Sequence, residues 1–132
     1  MKKRIEEKVL LYNFNDTAAI EALLAEMKIK VIIPGEQAYK QKVGYLFGLK
    51  GFKENTQAAE DFDFPYELMM FYDFDKIRLS KVLQEMRSRD IKVPICKSVV
   101  TPFNRLWSLR RVCETMRKEH LAMQEAKKDA ES

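Results

Sequence analysis

Two short apolar runs dominate the hydrophobic pattern of the chain, and each is followed by a segment with helical spacing. The runs are Val9–Tyr12 and Leu68–Tyr72. Apolar residues then recur at intervals of three and four positions, from Ala19 to Met27 and from Leu79 to Met86. An uninterrupted apolar run of about five residues is typical of a buried parallel strand. The pattern therefore predicts a strand followed by a helix, twice.

The second occurrence repeats the first in residue type as well as in pattern. Three segments recur in the same order: Val9–Asn15 as Met69–Asp75, Leu23–Met27 as Val82–Met86, and Ile29–Val31 as Ile91–Val93. One such match could arise by chance. Three in order are better explained by duplication of one unit.

Each unit continues with a second strand and a second helix. The second strands are predicted at Lys30–Ile33 and Ile91–Cys96, and the second helices at Gln37–Phe47 and Pro102–Lys127. We therefore predict an α/β fold with a duplicated strand–helix–strand–helix unit and a mainly parallel sheet packed with helices. A single four-stranded sheet with an approximate two-fold axis is preferred. Two packed half-sheets, or a sheet completed across a dimer, are the alternatives.

The repeat also sets the expected domain organisation. Residues 1–53 form the first unit, residues 54–66 a connecting loop and residues 67–132 the second unit, within one compact domain. The aromatic residues Phe52, Phe62 and Phe64 argue against a free linker, because disordered segments contain few aromatics. We expect them to pin the loop onto the core.

Charges are segregated along the chain, although the net charge is only +4. The segment 37–53 carries four lysines and no acid, 54–75 carries seven acids and no base, and 91–113 carries five bases and no acid. The basic segments predict a patch for nucleic acid or an anionic metabolite. The preferred interpretation is that acidic and basic segments face each other, within one chain or across a dimer, because the net charge is modest.

Several classes of protein are not expected. The positive N-terminus is not followed by the apolar stretch of a signal peptide, and no run approaches the ~20 apolar residues of a membrane span. Two cysteines without a secretion signal indicate free thiols and a cytoplasmic location. A single histidine excludes a histidine-based metal cluster, and no phosphate-loop or dinucleotide motif is present. We therefore predict no cofactor, no metal site and no membrane partner.

Asp73 and Asp75, directly after the second apolar run, are the candidate catalytic pair. An Asp-x-Asp sequence after a strand resembles phosphotransferases of the haloacid dehalogenase type, in which one carboxylate attacks phosphorus and both help to hold magnesium. The equivalent residues of the first unit, Asn13 and Asn15, could not perform that chemistry. Capping of the following helix is the preferred interpretation.

The segment between the last strand and the last helix is the candidate ligand site. Thr101 is a plausible N-cap, with Pro102 at the first helical position. Exposed N–H groups at a helix start attract anions, and ligands of open α/β sheets bind beyond the carboxyl ends of strands. The predicted site residues are Lys97, Thr101, Asn104, Arg105 and Trp107. The alternative is a capped helix start whose Trp107 belongs to the core.

The same segment resembles a bacterial family, domain of unknown function 3783. The resemblance spans about residues 68–120, and its most specific part is Thr-Pro-x-Asn-x-x-Trp. It is carried by Phe74, Ile91–Pro94, Lys97, Thr101–Pro102, Asn104, Trp107 and Glu119–His120, while Ser98 stands where the family pattern has Ala. The resemblance implies a small prokaryotic cytoplasmic protein and assigns no activity, cofactor or catalytic residue.

Three hypotheses of function follow. The first is a non-enzymatic regulatory or interaction module, a homodimer that senses a small anionic ligand. The second is a nucleic-acid-binding module that uses Lys92, Lys97, Arg105, Arg110 and Arg111. The third is a metal-dependent phosphotransfer enzyme that uses Asp73 and Asp75. The first is preferred, because the sequence lacks a convincing catalytic constellation.

Overall fold

In the computed structural model, which describes residues 5–131, the chain forms four strands and four α-helices. Two 3₁₀ turns, Glu36–Lys40 and Asn104–Leu106, precede the second and fourth helices. The elements in chain order are β1 (Lys8–Tyr12), α1 (Ala18–Glu26), β2 (Lys30–Ile32), α2 (Val43–Leu46), β3 (Leu68–Tyr72), α3 (Lys76–Ser88), β4 (Cys96–Val99) and α4 (Leu109–Glu131).

The strands form one sheet in the order β2-β1-β3-β4. The pairs β1–β2 and β3–β4 are parallel, as a strand–helix–strand connection requires. The central pair β1–β3 is antiparallel, with Leu10 opposite Met70. The prediction of an α/β fold with a single, mostly parallel four-stranded sheet is confirmed.

Both faces of the sheet are covered, which explains why its central strands are uninterrupted apolar runs. Alternate side chains of a strand point to opposite faces. Val9, Leu11, Met69 and Phe71 therefore pack with residues of α1 and α3 on one face. The opposite face packs beneath α2, α4 and the connecting segment, through Leu10, Tyr12, Leu68 and Met70. The second face carries the candidate functional site.

The predicted helix at Gln37–Phe47 is wrong as a continuous element. It is divided into a 3₁₀ turn and the short α2, and Gln41 and Lys42 between them are extended, with ψ near +149° and +144°. The physical reason is a long-range bridge. The N–H of Leu109 donates to the carbonyl of Gln41, and this contact holds the backbone out of helical geometry.

Two boundaries in the second half also differ from the prediction. The predicted helix at Pro102–Lys127 begins only at Leu109, because Trp107 is extended where it meets the first half of the chain. Leu106, inside the predicted helix, is 57% exposed. The predicted strand at Ile91–Cys96 is displaced to Cys96–Val99, since Pro94 has no N–H to donate to the sheet.

The connecting segment is packed against the core, as its aromatic residues predict. Phe64 is buried, and Phe62 packs on the same cluster. The side-chain amide of Asn13 donates to the carbonyls of Phe64 and Tyr66, at 2.6 and 2.9 Å. Over residues 5–131, no helix is long and apolar enough to cross a membrane.

Candidate functional site

Five basic side chains line one open cavity of about 720 Å³, here called the basic pocket. None of the described residues that line it is acidic. Four of the cations are all the lysines of the basic segment 37–53, and the fifth comes from the later basic segment. The lining residues are Lys40, Lys42, Lys50, Gly51, Phe52, Lys53, Asn55, Arg105, Leu106 and Ser108.

A buried glutamine holds one wall of the pocket. Gln41 is only 6% exposed. Its amide donates to the carbonyl of Asn55 at 2.9 Å, and its side-chain oxygen accepts from the Asn55 N–H at 2.7 Å. The Asn55 amide in turn donates to the carbonyl of Lys40 at 3.2 Å. These three bonds fix the segment that carries Lys50 and Lys53 beside the segment that carries Lys40 and Lys42.

A close contact between Gly44 and Phe52 completes that wall. A Cβ added to Gly44 would overlap the Phe52 ring, so glycine is required for the ring to sit where it does. Gly51, which directly precedes Phe52, has φ of +89°, a left-handed conformation that glycine adopts without strain. Nothing lies within 4 Å of where a Gly51 Cβ would stand. At this point the pocket wall is bare backbone that a ligand can approach closely.

An antiparallel bridge between Lys42 and Ser108 brings in the second half of the chain. The Val43 N–H donates to the carbonyl of Trp107, and the Leu109 N–H donates to the carbonyl of Gln41, both at 2.9 Å. The bridge therefore places the turn that carries Arg105 next to the lysine segment. The basic pocket lies at this junction.

The charge of the pocket is concentrated rather than neutralised. Lys42, Lys50, Lys53 and Arg105 are exposed, and Lys40 is partly buried. The ion pairs of α1, α3 and α4 involve other cations, Arg78, Arg89 and Arg110. Like charges gathered in a concave site repel one another, and a multiply charged anion relieves this repulsion. From the sequence, we preferred the interpretation that acidic and basic segments face each other. That interpretation does not hold for this cavity.

Two of the predicted ligand residues, Thr101 and Asn104, use their side chains to hydrogen-bond the backbone of their own turn. The Thr101 hydroxyl accepts from the N–H groups of Phe103 and Asn104. The Asn104 side chain accepts from the Thr101 N–H and donates to the carbonyl of Val99, both at 2.8 Å. These bonds close the turn that leads into the 3₁₀ segment Asn104–Leu106. The prediction of Thr101 as an N-cap is wrong, because the helix it was expected to cap begins only at Leu109.

The other three predicted residues lie in different places. Lys97 lies on β4, donates to the carbonyl of Pro94 at 2.9 Å and borders an apolar depression with Leu79 and Leu83 of α3. The Trp107 ring lies 4.0 Å from the Arg111 guanidinium. Arg105 alone of the five predicted residues lines the basic pocket, within the described chain. The four lysines were missed as site residues, and their signal was the acid-free segment 37–53.

Asp75 caps a helix, as its position predicts. Its carboxylate accepts from the N–H of Arg78 at 2.7 Å, at the start of α3. Asp73 accepts from the N–H of Glu6 at 2.8 Å. Among residues 5–131, no group of three or more acidic, histidine or cysteine side chains is arranged to hold a metal ion.

Both cysteines are buried and free, in the core beneath α4. Burial raises the pKa of Cys113 to about 12, and it also raises the pKa of Cys96. Because the thiolate is the nucleophilic form, these thiols are poor nucleophiles at neutral pH.

The fold and the pocket together define a small α/β domain with a cationic cavity at the junction of its two halves. Residues 67–123 match the family described as Domain of unknown function (DUF3783). The predicted resemblance of the second half to this family is thereby confirmed. The matched region contains Arg105 and the Thr101–Trp107 turn, whereas the pocket lysines lie outside it. No match was found among curated proteins or among solved structures.

Proposed function

We propose that this chain is a non-enzymatic binding module that takes a small, multiply charged anion in the basic pocket. The observation that carries the proposal is the convergence of five cations on one acid-free cavity. They come from three places in the chain, Lys40 and Lys42, Lys50 and Lys53, and Arg105. The volume of about 720 Å³ lies within the ~300–1,000 Å³ common for small-molecule sites.

A small ligand fits this arrangement better than a nucleic-acid duplex. Proteins that bind duplexes present basic residues along a stripe or helix face that follows the phosphate backbone. The basic residues of the earlier nucleic-acid hypothesis are spread instead. Lys97 faces α3, and Arg110 pairs with Glu114 at 2.8 Å. The concentrated charge of the pocket suits a compact polyanion.

A duplicated unit at residues 1–53 and 67–132 is part of the proposal. Paired backbone features support it. Asn13 and Asp73, directly after the first strand of each unit, have φ of +68° and +64°. Lys28 and Asp90, after the first helix of each unit, have φ of +61° and +55°. On this interpretation, the ligand binds where the two copies of the unit meet.

A regulatory role as a cytoplasmic homodimer completes the proposal. The edge strand β4 supports self-association, because Ile95 beside it and Val99 within it are 55% and 45% exposed. An exposed edge can pair with the same edge of a second copy. The two free cysteines support a reducing compartment.

Titration calorimetry with inorganic tripolyphosphate tests the binding proposal. We expect saturable binding at one site per chain that weakens steeply with salt, as screening of exposed charges requires. Lys42→Gln should weaken binding roughly fivefold, a typical loss for one exposed charge contact. Lys81→Gln removes an exposed lysine of α3 outside the pocket and serves as the matched control. Absence of binding at low salt, or equal losses in the two variants, would overturn the proposal.

A further inference from the structure

The basic pocket contains two apolar side chains beside its cations, Phe52 and Leu106. A site that binds only inorganic anions does not need apolar side chains to contact its ligand. Phe52 is partly exposed, and its ring rests against Gly44. The ring is therefore held in place while part of its surface remains available to a ligand.

Leu106 is more exposed and equally well positioned. It is 57% exposed, and its neighbour Phe103 is 77% exposed. A single exposed leucine needs no explanation. Here, however, the turn that carries both residues is fixed by the reciprocal bonds of Thr101 and Asn104. The fold thus fixes the backbone that carries Leu106, one of the residues that line the cationic cavity.

We infer that the ligand of the basic pocket is a nucleotide, specifically a free nucleoside polyphosphate. This inference rests on the proposed function and names its ligand class. Phosphate oxygens form strong, charge-assisted hydrogen bonds with lysine and arginine. A base is flat and stacks on aromatic rings and guanidinium planes. The lysines hold the phosphates, and the base lies against Phe52 and Leu106.

Gly51 contributes to the same recognition. Its bare backbone lies in the pocket wall among the lysines, with open space where a side chain would stand. Glycine at such a position lets phosphate groups approach main-chain N–H groups. The arrangement thus offers the two parts of a nucleotide two different surfaces in one cavity.

Comparison of ATP with inorganic tripolyphosphate, without divalent metal and at constant ionic strength, tests the inference. The two probes carry similar charge and differ in the nucleoside. We expect ATP to bind at least tenfold more tightly, since stacking of a base contributes about 1–3 kcal/mol. Equal affinities would overturn the nucleotide inference and leave the anion-binding proposal standing. If neither probe bound, the proposed function itself would fail.

Leu106→Gln isolates the apolar contribution, because Leu106 is exposed and its replacement leaves the core intact. The variant should lose ATP affinity severalfold and keep its tripolyphosphate affinity. Ile77→Gln is the matched control, since Ile77 is an 84% exposed aliphatic residue on α3. An equal loss of affinity for the two probes in Leu106→Gln would contradict a base-contacting role.

A nucleotide within a single-stranded nucleic acid would offer the same chemistry from another source. Competition between ATP and a single-stranded RNA of about ten nucleotides separates the two, because channels for single strands track several nucleotides. The inference predicts that ATP displaces the oligonucleotide at equal or lower concentration per site. Much tighter binding of the oligonucleotide would overturn the assignment to a free nucleotide.

Discussion

Lys42 and Ser108 face each other in an antiparallel bridge that joins the two halves of the chain, and both line the basic pocket. The bridge is built from two backbone hydrogen bonds of 2.9 Å on either side of the pair. The lysine segment and the Arg105 turn are far apart in sequence, and this junction brings them to one cavity. The shape of the pocket therefore depends on a tertiary contact that cannot be predicted from the local sequence pattern.

Gln41→Ala should destabilise the protein by roughly 1–3 kcal/mol, because the Asn55 N–H and carbonyl would lose their partners in a partly buried setting. The loss can be measured as the free energy of unfolding in urea. Gln37→Ala, at an exposed glutamine on the preceding turn, is the control and should change stability by less than about 0.5 kcal/mol. Equal effects of the two substitutions would show that Gln41 does not hold the pocket wall.

Gly44→Ala should be destabilising by roughly 1–3 kcal/mol, because the new methyl group would overlap the Phe52 ring. Phe52→Leu should relieve part of that cost, so the double variant should be more stable than the sum of the single effects predicts. Thermal unfolding of the four proteins gives the coupling. Gly35→Ala is the matched control, since nothing lies within 4 Å of its added Cβ. Strict additivity would argue against the contact.

Asn104→Ala should cost roughly 1–3 kcal/mol, because Asn104 is only 8% exposed and its side chain satisfies the Thr101 N–H and the Val99 carbonyl. The turn should also loosen, which amide hydrogen exchange of Phe103–Trp107 would report as faster exchange. Asn15→Ala, at an exposed asparagine after β1, provides the comparison. Unchanged exchange across the turn in Asn104→Ala would contradict this account of its rigidity.

Cys113 should make stability depend on pH in the alkaline range. Burial raises its pKa from 9.0 to about 12, so the folded protein keeps a proton that the unfolded chain releases. Its contribution is therefore fully present below pH 9.0 and is lost as pH rises towards about 12. The free energy of unfolding should fall less steeply in Cys113→Ala than in the parent over this window. Parallel curves would contradict the shifted pKa.

Most of the secondary structure was predictable because the central strands are buried on both faces. Burial on both faces requires apolar residues at every position, which gives the uninterrupted runs Val9–Tyr12 and Leu68–Tyr72. In the helices after them, apolar residues recur at regular helical spacing. The errors in the two predicted second helices have a common origin. Gln41–Lys42 and Trp107 are extended because they pair with each other's segments, and no local propensity encodes a contact over such a separation.

The candidate site was predicted only in part for the same reason. Arg105 was recognisable as a cation near a strand end, whereas Thr101 was predicted to cap a helix that begins only at Leu109. The meeting of Arg105 with Lys42 depends on the bridge through Ser108. The sequence contains two basic segments. Whether acidic or basic residues lie opposite them depends on the fold and cannot be read from the sequence.

Backbone amide chemical shifts of the labelled protein during titration with tripolyphosphate test the central claim most directly. We predict progressive, saturable shifts concentrated at residues 40–42, 50–55 and 105–108, the three separate parts of the sequence that contribute the lining of the basic pocket. The α3 amides around Lys81 should move little. Shifts spread evenly over all basic segments, or centred on Lys97 and β4 instead, would contradict the basic pocket as the binding site.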